Sequence, residues 1–319
     1  MILLTGGTGF VGRHVLARLT ASGRPVRVLS RKVTALELPT GASAIVGDLA
    51  DAASLGEALR GVQAVVHAAA LLPGPQTTEA QLEVINGEGT GRLAALAAQA
   101  GVRRFVHLSS AGVYGDRPAA GAHAESDPLL AESAYQRSKR ASELALAKAL
   151  EGTPVSWTVL RPAGLYGADR PATQAFFREV ATRRIWLHGP APVRVHPTHI
   201  DDLTSAVALV IDREDLHREA INIGGDRPVS YRDLIALIGA RVGHVPFQLA
   251  APVWTRAVVS RVGNGTRVHG LTARLTRGGV DSAVDIGKAR RILGFAPVRL
   301  ESGLERTAAA LRAQGMLPR

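Results

Sequence analysis

A chain of 319 residues, 46% hydrophobic and 20% charged, has the makeup of a folded globular protein with one large or two ordinary domains. It has no cysteine, which excludes disulfides, thiolate metal sites and a cysteine nucleophile, and no run approaches the roughly 18 apolar residues of a membrane span. The formal net charge is +11, with 22 basic against 14 acidic residues in 165–319, but the cations stand singly rather than in blocks, which disfavours a nucleic-acid groove and reads first as a merely arginine-rich composition, then as an anionic small ligand.

In chain order, short β-branched runs alternate with Ala/Leu-rich stretches. Strands are expected at 1–5, 25–30, 43–48, 64–69, 104–110 and 156–161, with helices over 80–100 and 132–150. Such alternation predicts an α/β fold, a doubly wound parallel sheet with helices on both faces and ligands at the carboxyl ends of its strands. Beyond residue 165 the pattern is less regular. Helices are expected near 172–183, 201–211, 230–242, 287–293 and 301–314, and extended pieces near 193–196 and 220–223. The expected division is a dinucleotide-binding Rossmann domain over 1–165, with returning segments near 196–226, and a smaller α/β substrate-binding cap mainly over 166–319. The start "MILLTGGTGF" has no basic opening and no small-residue cleavage site, so a cytoplasmic protein is expected.

"TGGTGFVG" follows the first strand and opens a helix. Gly6, Gly9 and Gly12, with Thr8, Phe10 and Val11 between them, would bring backbone and helix N-terminus against a pyrophosphate. At the end of the second strand, where a carboxylate would bind the adenosine ribose, stand Ser30, Arg31 and Lys32. That set favours NADP(H) over NAD(H) unless it is an ordinary solvated turn. Asp48, followed by Leu49, could accept from the adenine amino group or cap the next helix. Ala68, Ala69 and Ala70 end the fourth strand with small side chains, as a close ligand or tight helix packing would require.

"SAYQRSK" places Tyr135 and Lys139 four apart, on one helix face. A phenol titrates near pH 10, so a neighbouring cation is expected to lower it and make the pair an acid/base device. Ser109 and Ser110 emerge at the carboxyl edge of the fifth strand.

With these motifs in order, followed by "INGEGT", "SSAGVYG", "LRPAGLYG", "HPTHIDDL", "NIGG" and "KARRILGFAP", the sequence resembles the extended short-chain dehydrogenase/reductase, or epimerase/dehydratase, family almost end to end. The resemblance implies that Tyr135 is the acid/base, that Lys139 partners it and binds the nicotinamide ribose, and that Ser110 is the catalytic hydroxyl. It also implies a cofactor-side position for Asn86, for which a helix-start cap is the alternative, Pro162 beside the nicotinamide, and a homodimer formed through the two long helices of the first half. His196, His199, Asp201 and Asp202 could suggest a metal cluster, but in the family that stretch closes the fold, and no metal is expected.

Ala111 and Gly112 stand where family dehydratases carry an acidic pair, and Ala163 and Gly164 where many sugar epimerases carry an asparagine. The lean is toward the hydroxysteroid dehydrogenase and dihydroflavonol reductase branches: hydride transfer between a nicotinamide and a secondary alcohol or ketone. The alternatives are a nucleotide-sugar epimerase with retained NAD and a non-catalytic NADP(H) sensor, the latter disfavoured by the presence of both Tyr135 and Lys139. Residues 249–262 offer an apolar helical face with Val253, Trp254, Ala257 and Val258, suited to a hydrophobic substrate, a lipid surface or the protein's own core. Arg256, Arg261, Arg267, Arg274 and Arg277 could instead clamp a diphosphate.

Overall fold

The computed structural model describes residues 1–32, 38–116, 121–188, 194–250 and 282–318. Six of its strands are those expected: β1 (Ile2–Thr5), β2 (Val26–Ser30), β3 (Ala42–Val46), β4 (Ala64–His67), β5 (Arg104–Leu108) and β6 (Ser156–Pro162). They form one parallel sheet in the order β3-β2-β1-β4-β5-β6, extended beyond β6 by a seventh strand (Glu219–Ile223) from the second half. The strand order reverses between β1 and β4, the crevice where open α/β sheets bind ligands. β1, β4 and β5 are buried along their whole length, so the apolar runs do not alternate with polar residues.

The helices of the first half are α1 (Phe10–Ala21), α2 (Ala52–Leu59), α3 (Glu79–Leu82), α4 (Gly89–Gln99) and α5 (Ala134–Ala149). The single helix expected over 80–100 is interrupted: a π-helical turn, Glu83–Glu88, separates α3 from α4. In the second half come β7 (Leu165–Tyr166), α6 (Pro171–Thr182), β8 (Ile185–His188), β9 (Arg194–Val195), β10 (Thr198–His199), α7 (Ile200–Val210) and β11, the seventh sheet strand. Then follow β12 (Val229–Ser230), α8 (Tyr231–Val242), β13 (Phe247–Ala250), α9 (Gly287–Leu293) and α10 (Leu300–Ala313). The parallel pair β8–β13 and the pairs β7–β10 and β9–β12 have too few residues for a readable period.

Two apolar layers sandwich the sheet. Leu55, Leu93 and Leu146 bring α2, α4 and α5 to one face; Val15, Leu203 and Ala289 bring α1, α7 and α9 to the other. A third cluster, built around Phe177, Trp186, Ile235 and Leu304, lies off the sheet. No helix among the described residues is long and apolar enough to cross a membrane. Val253, Trp254, Ala257, Val258 and the five arginines between 256 and 277 lie outside the described residues.

At the start of β5, Arg104 is only 2% exposed, and it staples the strands that follow. Its Nε donates to the Val210 carbonyl (3.1 Å), Nη1 to Ser156 Oγ (3.1 Å) and the Leu216 carbonyl (3.0 Å), and Nη2 to Thr158 Oγ1 (2.7 Å). Burial pulls its pKa down to about 10, yet every nitrogen has an acceptor, which makes the buried cation tolerable. Arg104→Leu should strip these acceptors of their donor and destabilise the fold by about 2–4 kcal/mol, read as a lower urea midpoint in equilibrium unfolding.

Candidate active site

β1 leads into the glycine turn with Gly6 at φ +72°, a conformation that favours glycine. The turn is also packed too closely for side chains. A Cβ on Gly6 would lie 2.6 Å from the Ala69 nitrogen, and one on Gly12 2.0 Å from the Gly6 carbonyl oxygen. The small residues Ala68, Ala69 and Ala70 thus let the loop after β4 press on the loop after β1, and the Ala69 N–H donates to Thr5 Oγ1 (3.2 Å). Gly9 caps α1 without a side-chain bond and no acidic residue occupies the first turn, so the N–H groups of Phe10, Val11 and Gly12 have no intrahelical acceptor. Thr8 is exposed beside them. Orphan donors at a helix N-terminus, at a turn too tight for side chains, fit a dinucleotide pyrophosphate.

Ser30, Arg31 and Lys32 leave β2 at the same edge. The Ser30 hydroxyl donates to the Lys32 carbonyl (2.9 Å), and neither cation pairs with a carboxylate among the described residues. Asp48 does not cap the following helix, because Asp51 does so by accepting from the Ala53 N–H (3.0 Å). Asp48 Oδ1 instead closes its own turn onto the Ala50 N–H (2.9 Å), and Leu49 is buried in the core.

Asn86 is not at a helix start. It lies within the π-helical turn, 1% exposed, where its Oδ1 accepts from the Leu71 N–H (2.7 Å) and its Nδ2 donates to the Leu71 carbonyl (3.0 Å) and to Ser138 Oγ (2.9 Å). One side chain therefore ties the loop after β4 to the helix that bears Tyr135. Pro162 ends β6 opposite Ile223.

"SAYQRSK" opens α5 with a capping box. Ser133 Oγ accepts from the Gln136 N–H (3.3 Å), and Gln136 Oε1 accepts from the Ser133 N–H (2.9 Å). Tyr135 is thereby fixed in the first turn. One turn on, Lys139 runs inward, 2% exposed, and its Nζ donates to the Leu108 carbonyl at the end of β5 (2.7 Å). Two residues beyond Leu108, Ser110 Oγ accepts from the Gly112 N–H (3.1 Å) and caps the 3-10 turn Ala111–Tyr114, which packs on Gln136 beside Tyr135. The hydroxyl proton of Ser110 has no acceptor among the described residues. Ser109 turns the other way, its hydroxyl donating to Glu143 Oε1 (2.5 Å) in the interior. The structure thus brings Ser110, Tyr135 and Lys139 to one edge, at the open end of the sheet.

A sheet of this order, with a glycine turn at its crevice and a Tyr-Lys helix against its fifth strand, belongs with known proteins. Residues 2–224 match the NAD dependent epimerase/dehydratase family. The chain belongs to that family. It is 30% identical to a 4-hydroxy-2-methyl-3-oxo-4-farnesyl-3,4-dihydroquinoline-1-oxide ketoreductase of Stigmatella aurantiaca over 98% of this chain and 96% of that one. It is 26% identical to a UDP-glucose 4-epimerase of Vibrio cholerae over 97% and 94%. The crystal structure of a short-chain dehydrogenase/reductase superfamily protein from Agrobacterium tumefaciens with bound NAD superposes with a TM-score of 0.79 at 26% identity, covering 98% of each chain.

In this epimerase/dehydratase-family enzyme the electrostatics of the tyrosine differ from the sequence expectation. Burial pushes the Tyr135 phenol above its ordinary value, and the cation acting against that rise is Arg170, not Lys139. Lys139 is committed to the Leu108 carbonyl; burial draws its own pKa down to about 8, with Glu143 pulling it back up. Sharing a helix face is not the same as facing one another.

Glu143 and Arg170 both escape the sequence motifs. Glu143 had a signal: it continues the Tyr135, Lys139 spacing by one more turn, and it pairs with Arg161 through Nη2 to Oε2 (2.6 Å) and Nε to Oε1 (3.0 Å). Arg170 had none, standing in an ordinary polar turn. His196, His199 and Asp202 do structural work. His196 Nε2 donates to the Gly225 carbonyl (3.0 Å), His199 caps α7, and Asp202 accepts from the His199 (3.1 Å) and Val298 (2.7 Å) N–H groups. Asp201 meets Arg306 at the surface (3.1 Å).

Because a Cβ at position 12 collides with the Gly6 carbonyl rather than with a movable side chain, Gly12→Ala should deform the turn. Calorimetric titration should show nucleotide affinity falling by tenfold or more, about 1.4 kcal/mol, while the far-UV spectrum is unchanged.

Proposed function

We propose that this enzyme reduces a ketone on an apolar substrate, with Tyr135 as the proton donor, Ser110 as a hydrogen-bond donor to the same carbonyl oxygen and Lys139 as the buried cation behind them. The observation that carries the reading is a placement: Tyr135 stands in the first turn of α5, beside the turn that Ser110 caps and one turn before the buried Lys139, and a phenol protonated at neutral pH can there give its proton to an oxygen that becomes an alkoxide. A nicotinamide cofactor supplies the hydride when bound. Ser110, with its proton uncommitted, holds the carbonyl oxygen within reach of the phenol. Lys139 keeps positive charge under the site at neutral pH.

A cavity of about 380 Å³ supports the apolar substrate. It lies between the β6 end and the third apolar cluster, and Tyr166, Phe176, Phe177, Tyr231, Leu234 and Ile238 supply much of its wall. We assign residues 166–319 mainly to substrate binding on this basis, with 1–165 and the returning segment near 196–226 holding the cofactor. Gly164 lines the cavity where an amide would serve a sugar nucleotide, which weighs against epimerisation. The Stigmatella relative, a ketoreductase acting on a farnesylated ring ketone, points the same way. We further assign the cofactor as NADP(H), on Arg31 and Lys32 at the β2 edge, with which no carboxylate among the described residues pairs, and a homodimer through the helices that expose Val84 and Leu144.

With 2-acetonaphthone as probe, Tyr135→Phe should lower kcat by about 10²–10⁴-fold with nucleotide affinity unchanged, and unimpaired turnover would refute the role. Arg31→Ala should weaken NADPH binding about tenfold and leave NADH binding unaltered, measured by titrating each nucleotide.

A further inference from the structure

The loop between β7 and α6 is held against the cofactor turn at three places. Asp169 meets Arg13 (2.8 Å) and His14 (2.9 Å), the Arg13 guanidinium also donates to the Asp169 carbonyl (3.1 Å), and Gly167 packs so closely that an added Cβ would lie 3.1 Å from the Phe10 ring. Pro171 then starts α6 with its φ preset. Between these anchors stands Arg170.

Arg170 is half-buried and lines the cavity, where it is the single charged residue among the described lining groups. His196, the imidazole among the lining groups, is driven toward its neutral form by burial, and both its nitrogens are engaged, with the Gly225 carbonyl and the Val284 N–H. One Arg170 donor goes to the Leu165 carbonyl. No carboxylate among the described residues pairs with Arg170, so its other donors are left for the cavity. The position is also unfavourable for a cation: Arg170 is the N-cap residue of α6, at the positive end of the helix dipole, with no capping side-chain bond. A fixed, partly desolvated guanidinium set against a helix dipole in an apolar cavity calls for an anion, and none among the described residues supplies it. Burial draws the guanidinium pKa down and the Tyr135 phenol acts against that shift, so the two groups act on each other.

We propose that Arg170 is the specificity-determining residue of the cavity, selecting apolar ketones that carry an anionic oxygen next to the reacting carbonyl. This rests on the ketone-reduction reading for the position of the carbonyl, but not for the binding itself. An α-keto carboxylate offers the guanidinium two parallel acceptors while its ring fills the apolar wall; a plain ketone offers only the ring.

The test uses the full-length protein without nucleotide and two matched probes, 2-naphthylglyoxylate and the neutral 2-acetonaphthone, titrated calorimetrically into wild type, Arg170→Met and Arg170→Lys. Wild type should bind the glyoxylate at least tenfold more tightly than the ketone. Arg170→Met should bring that ratio to about one without weakening the neutral ketone, and Arg170→Lys should keep part of it. The unaltered affinity for the neutral probe certifies that the methionine variant is folded, and the lysine variant serves as the charge-retaining check. A wild type that takes up neither probe or both equally, or a methionine variant that keeps the anion preference, overturns the proposal. If the anion preference depends on Arg170 but neither probe is reduced when NADPH is added, the reduction reading fails and the Arg170 assignment stands.

Discussion

The Lys139 ammonium, held inside the protein against the Leu108 carbonyl, is the charge around which the interior is arranged. A buried cation is expensive unless its surroundings are reorganised for it. Two buried histidines, His67 and His107, stack on each other at 5.2 Å near it, and both are kept neutral, by burial first and by Lys139 second, with His67 drawn down to about 3. Glu143 supplies the compensating negative charge one turn further along α5. That carboxylate is itself buried, so Arg161 pairs with it, and Arg161 donates in turn to the Tyr114 hydroxyl (2.9 Å), which donates to Asn222 Oδ1 (2.7 Å) on β11. One buried cation at the end of β5 thus stands amid a connected set of polar residues on β4, β5, β6 and β11.

This network explains why β11 must come back from the second half of the chain to the sheet. Asn222 closes the chain of hydrogen bonds by donating to the His123 carbonyl (2.9 Å), and its own N–H reaches Glu125 (2.9 Å). Without that strand, Tyr114 and Arg161 would lie at an open edge and the Glu143–Arg161 pair would be wet. A solvated pair is a weaker anchor for Ser109, whose backbone carries Ser110 to the substrate side. The end of β5 is therefore positioned from both sides: by α5 through Lys139 and Glu143, and by β11 through Tyr114.

The parts of this arrangement that were legible in the sequence are those with a local cause. The parallel sheet follows from β-branched runs alternating with helical stretches, the glycine turn from its place between β1 and α1, and the start of α5 from Ser133 and Gln136. What was not legible depends on contacts between distant segments. The π-helical turn at Glu83–Glu88 has no signature in the apolar spacing, yet it sets Asn86 between Leu71 and Ser138. The short β8–β13 pair joins residues some sixty positions apart. The helix repeat puts Tyr135 and Lys139 on one face, but it gives direction around an axis, not the end point of a long flexible side chain, which here runs to the Leu108 carbonyl. Arg170 is invisible for the same reason, since its meaning comes from what surrounds it.

The clamp of Asp169 on Arg13 and His14 has a consequence for how the two halves of the site act together. The residues that offer orphan N–H donors and the residue that presents a guanidinium to the cavity belong to one mechanically continuous unit, α1 and the β7–α6 loop, joined by an ion pair, a backbone hydrogen bond and the Phe10–Gly167 contact. Arg170 follows Asp169 in the chain, and its guanidinium and the Tyr135 phenol act on each other. The glycine turn, the cavity guanidinium and Tyr135 are therefore tied to one another through Leu165–Arg170, the strand β7 and the short loop that follows it.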